Sequence, residues 1–72
     1  MRRFTDRDGV EWTVALSAGS YGSITLMFSA QGDTRVYWIA LEAATAAEGQ
    51  TMLAELSDDE LRSRLAVAEP WV

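Results

Sequence analysis

The chain contains no cysteine, no histidine and no lysine, and only one proline. Without cysteine there is no disulfide to staple the fold and no thiolate for zinc; without histidine the commonest metal ligand is gone too. The same absences thin out catalysis. The remaining general bases are carboxylates and a terminal amine, and no serine has an imidazole to activate it. All six basic residues are arginine, and the net charge of −5 lacks the basic footprint of a phosphate-backbone binder. Long apolar runs are missing as well: the longest, from Val36 to Ala47, is too short and too interrupted to span a bilayer. The opening Met-Arg-Arg-Phe-Thr-Asp leads into no apolar stretch, so no signal peptide is expected. These absences set the expectations: no catalytic residue, no cofactor, no metal, no nucleic acid and no membrane, in a cytoplasmic protein. Arginine without lysine, together with abundant alanine, points through codon usage to a GC-rich bacterial genome.

What is present suits a small globular domain. At 72 residues with 49% hydrophobic side chains, the chain is expected to form a single domain over 1–72. A core of that size is marginal, so self-association is one way to complete it. Charge is uneven: residues 1–40 balance four acids against four arginines, whereas residues 41–72 carry seven acids against Arg62 and Arg64.

The strand signals come first in the chain. Strands are predicted at about 2–6, 10–17, 23–30 and 35–41, and a helix at about 58–69. Asp6-Arg7-Asp8-Gly9 is a hairpin turn, with Gly9 free to take positive φ. Val10, Trp12, Val14 and Leu16 alternate with Glu11, Thr13, Ala15 and Ser17, the pattern of a half-buried strand. Gly19-Ser20-Tyr21-Gly22 fits no phosphate-loop spacing and reads as a plain strand connection. Gln31-Gly32-Asp33-Thr34 supplies the next tight turn. The segment from Glu42 to Leu56 is ambiguous between loop and weak helical turns, with Met52, Leu53 and Leu56 as contacts. Ser57 and Glu60 then form a capping box with Leu56 and Leu61 at staple spacing, and Leu61, Leu65 and Ala68 make an apolar stripe. Asp58–Arg62 and Glu60–Arg64 fall at i,i+4. Pro70 stops this helix, and Trp71 and Val72 form an apolar tail expected to fold back.

The expected fold is therefore α+β: a four-stranded antiparallel β-meander packed in two layers against one C-terminal α-helix. With even positions inward throughout, the helix covers Val10, Trp12, Val14, Leu16, Ile24, Leu26, Phe28, Val36 and Trp38. The odd face then carries Thr13, Ala15, Thr25, Met27, Tyr37, Ile39 and Leu41, and strand four lies at the sheet edge. An apolar outer face and edge mark an interaction surface, so Met27, Tyr37, Ile39 and Leu41 are the candidate interface.

Other constellations have structural explanations. Asp58-Asp59-Glu60 are consecutive helix positions that point apart, and the capping box accounts for them better than a metal site does. Arg2, Arg3 and Arg7 interleave with Asp6 and Asp8 and read as a solvated hairpin rather than a nucleic-acid arm.

Two stretches, F-T-D-R-D-G-V-E-W-T-V (Phe4 to Val14) and L-S-D-D-E-L-R-S-R-L (Leu56 to Leu65), resemble the opening hairpin and capped closing helix of small uncharacterised bacterial proteins. The resemblance implies an α+β fold, no known activity and no functional residues. Three functional readings follow. The first is a non-enzymatic interaction module that self-associates, as a homodimer, through its sheet. The second is a monomeric acidic adaptor or inhibitor that binds another protein. The third is a small-molecule or enzymatic site between helix and sheet, which a buried carboxylate with a raised pKa would mark.

Overall fold

A computed structural model describes residues 2–18 and 24–71. The Gly19–Gly22 connection, Ser23 and Val72 lie outside the described residues. Strands β1 (Arg2–Thr5), β2 (Glu11–Ala18), β3 (Ile24–Ala30), β4 (Val36–Ala40) and β5 (Glu69–Pro70) form one antiparallel sheet in sequential order. Helices α1 (Ala46–Glu55) and α2 (Asp58–Val67) lie between β4 and β5 in the chain. The sheet thus has a fifth strand, and a second helix precedes the expected one. The C-terminal helix stops at Val67 because Glu69 and Pro70 turn back onto the sheet beside β4.

Local chemistry sets each element. Gly9 takes φ 84° in the β1–β2 turn, where Asp6 receives backbone amides from Asp8 and Val10 at 2.9 Å. Gly32 takes φ 73° in the β3–β4 turn. Thr45 caps α1 by accepting from the Glu48 amide, and Ser57 and Glu60 complete the capping box on α2. Arg2 ties the layers of sequence together: its Nη1 donates to the Leu53 and Leu56 carbonyls at the end of α1, and its Nη2 reaches Asp58 Oδ1. Two orphan carbonyls of a helix C-terminus and the first acid of the next helix share one guanidinium. The ion pairs differ from the i,i+4 expectation: Asp58 pairs with Arg2, and Arg62 with Asp59 at i,i+3.

The core follows the register. Val14 pairs with Phe28, and Phe28 with Tyr37; Leu16 pairs with Leu26, and Leu26 with Ile39. Val14, Leu26 and Phe28 are fully buried, joined by Leu53 from α1 and Leu61 from α2. Phe4 meets Phe28 edge-on at 6.1 Å between ring centroids, and Trp12 meets Tyr37 at 5.7 Å. The core-facing set of β4 is thus Tyr37 and Ile39, with Leu41 buried just beyond the strand. Val36 and Trp38 belong to the opposite face, the reverse of the sequence expectation. The cause is the β3–β4 turn. Ala30 and Arg35 are bridged by backbone at 3.2 Å, leaving four residues between them. A loop with an even number of residues swaps odd for even positions across a hairpin, because side chains alternate along each strand.

Candidate interaction surface

The face opposite the core is read off the same register. One cross-strand row runs Ala15, Met27, Trp38, Glu69; a second runs Arg3, Thr13, Ser29, Val36. Trp71 extends the second row, since its amide donates to the Val36 carbonyl at 2.8 Å. None of these side chains is buried. Trp71 is 63% exposed, and Trp38, Val36, Met27 and Ala15 are half-buried. The central part of the face carries no charge; Arg3 and Glu69 stand at its two margins.

Of the candidate interface residues, only Met27 lies on this open face. Tyr37, Ile39 and Leu41 pack with the core instead. Val36, Trp38 and Trp71 stand beside Met27 on the open face. Counting the residues of the Gln31–Thr34 turn is the sequence signal that identifies Val36 and Trp38.

The sheet edges are also partly closed. β5 pairs with Tyr37 and Trp38, so the first half of β4 is not an edge. Pro70 is tolerated there because the outermost strand needs no inward ladder donor at that position. On the other margin, Arg62 Nε donates to the Thr5 carbonyl of β1 at 2.7 Å, which places charge on that edge. Beyond β5 a shallow groove of about 250 Å³ is lined by Trp38, Ile39, Ala40, Val67 and Glu69, and Val67 is 68% exposed.

Chemically the described residues offer little to a substrate. The buried side chains are all apolar, and no set of three acidic residues is placed to hold a metal among the described residues. Among the described residues no helix is long and apolar enough to cross a membrane. Three carboxylates are displaced, and all downward. The Trp12 indole N–H, donating to Asp6 Oδ2 at 2.7 Å, holds Asp6 below its usual range, assisted by the Val10 and Asp8 amides. Asp33 is lowered chiefly by the Arg35 backbone N–H, and Glu60 by the Ser57 backbone N–H. Groups held ionised in this way do not serve as general acids at neutral pH. They stabilise the fold instead.

A folded-state pKa below the unfolded one contributes stability in full above the ordinary carboxylate range of about 4. That contribution is lost as pH falls through the lowered values. With no histidine in the chain, the thermal midpoint is expected to stay flat from about pH 6 to 8 and to fall below about pH 4. Asp6→Asn places an amide donor against the Trp12 N–H, so it lowers the midpoint at neutral pH, and the gap to wild type narrows on acidification. A gap that stays constant from neutral to acid in melts followed by circular dichroism would contradict this role for Asp6.

No family model matches the chain, and no match was found among curated proteins or solved structures.

Proposed function

We propose that the protein is a non-enzymatic interaction module whose working surface is the open sheet face, paired in solution with a second copy. In this reading the domain is two-layered, with both helices on the core side. The observation that carries it is that face itself: two tryptophans, a methionine and a valine, none of them buried, around an uncharged centre. Contiguous apolar surface of this kind marks an interaction site. The acids of α2 speak less for a basic protein partner, because Asp58 and Asp59 are paired within the chain and Glu60 closes a capping box.

Light scattering from micromolar to millimolar concentration tests the proposal on wild type and Trp38→Arg. Arginine at this position can pair with Glu69, its register neighbour, so the sheet is retained. The expected result is a wild-type dimer and a variant at least tenfold weaker in association, with an unchanged far-UV spectrum; a tenfold change corresponds to about 1.4 kcal/mol. A wild type that stays monomeric, or a folded variant that dimerises as well as wild type, overturns it.

A further inference from the structure

We infer that the open face is self-complementary about one axis: a second copy packs on it with the two-fold running along the strands, so that β4 of each copy lies over β2 of the other. The inference rests on the dimer reading above and adds to it which side chains meet.

The relief of the face is lopsided. Along the row Ala15, Met27, Trp38 the side chains grow from β2 to β4, and along Thr13, Ser29, Val36, Trp71 the bulk again gathers at β4 and beyond. β4 stands up and β2 lies low, with the long side chains of Arg3 and Trp71 at the two margins. Packed sheets sit about 10 Å apart with their inner side chains interdigitated. Close packing penalises both collisions and voids. A two-fold along the strands reverses the strand order of the second copy. Trp38 then fills the space over Ala15, Val36 lies over Thr13, and Met27 meets its own counterpart on the axis. A two-fold across the strands preserves strand order. It sets Trp38 and Val36 of both copies on the same side of the interface and leaves a gap over both small halves.

Charge selects the same axis independently. Arg3 stands on β1 and Glu69 on β5, at opposite margins of the sheet. Reversing the strand order places Arg3 of each copy over β5 of the other, near Glu69 and the face of Trp71. Opposite charges across a rim set orientation more than affinity, and an arginine over an indole adds a cation–π contact. A second copy in this orientation presents a low side where this face is high and a negative margin where it is positive.

The absence of native cysteine makes the test direct, because an introduced thiol is unique in each chain. Thr13→Cys and Val36→Cys are near-conservative in volume. They are mixed as separate proteins and treated with a short bismaleimide; a parallel mixture pairs Thr13→Cys with Ser17→Cys. Solution mass is recorded for every variant. The expected result is cross-linking in the 13–36 mixture, roughly a hundredfold faster than in either variant alone, because a shared interface raises the local thiol concentration. A dimer that links 13 to 17 instead, or links neither mixture, overturns the axis and leaves the dimer reading standing. A monomer by mass overturns both.

Discussion

Phe28→Ala is expected to unfold the protein or to lower its thermal midpoint by about 15 °C or more. Phe28 sits at the centre of β3, fully buried, flanked by Val14 and Tyr37 in the register and edge-on to Phe4. Truncating a buried phenylalanine removes its transfer free energy and leaves a cavity, at a cost of about 3–5 kcal/mol. A chain of this length has roughly 4–11 kcal/mol in total at the usual value per residue. The loss is therefore a large share of the whole. Phe28→Leu preserves most of the volume and should cost less than about 1.5 kcal/mol. Met27, one residue away, points to the other face, so Met27→Ala should cost far less at concentrations where the chain is monomeric. Urea titrations of the three variants at one protein concentration decide the point. A Phe28→Ala variant within about 1 kcal/mol of wild type would mean that the core is not where the register places it.

The second large effect concerns Gly49. This residue is buried in the middle of α1, and a Cβ built on it would lie 3.1 Å from Ile24 Cγ2 and 3.2 Å from Leu16 Cδ1. Its backbone is helical, so space and not φ is what selects glycine. Gly49→Ala gains about 1 kcal/mol of helix propensity but requires the Leu16 and Ile24 side chains to yield by a few tenths of an ångström. Leu16 is only half-buried and can move, so the net change is expected to be small. Gly49→Val has no such outlet. Its branched methyls enter the same contact, bring less of the propensity gain than alanine does and lever α1 from the sheet, at a cost of about 2–3 kcal/mol. Thermal melts of the pair should separate them by roughly 10 °C. Equal melting points would show that α1 does not rest on β2 and β3 at this point.

Gly49 also explains why α1 was hard to read in the sequence. A glycine amid alanines, with only Met52 and Leu53 as nearby large apolar residues, lacks both helical propensity and a sustained stripe. Gly49 lies against Leu16 and Ile24 of the sheet, a tertiary contact invisible to local periodicity. By contrast, the β1–β2 hairpin and the start of α2 were legible because their signals are local. Asp6 and Gly9 build the turn, and Ser57 with Glu60 closes the cap. Three residues of the resembling F-T-D-R-D-G-V-E-W stretch have local structural work: Asp6 accepts the Trp12 indole, Gly9 supplies positive φ, and Trp12 packs on Tyr37.

Which side chains of β4 face away from the core was not legible in the sequence. Both faces of Val36–Ala40 are apolar, so composition says that a second face needs cover without saying which side chains form it. That depends on a parity set by loop length. Three residues separate Asp6 from its partner Val10 and keep the parity, while four separate Ala30 from Arg35 and reverse it. β5 escaped for a related reason: two residues around a proline signal a helix stop, which they are, and pair with β4 only because the chain folds back there.

Hydroxyl-radical footprinting across a dilution series tests most directly that the open face is the one buried between copies. At millimolar concentration Met27, Trp38 and Trp71 are expected to be protected, with oxidation of all three rising together on dilution. Trp12, buried in the core, and Met52, packed against it, should not change with concentration. Oxidation of Met27 and Trp38 that is independent of concentration, or protection that falls on the helices instead, would contradict it.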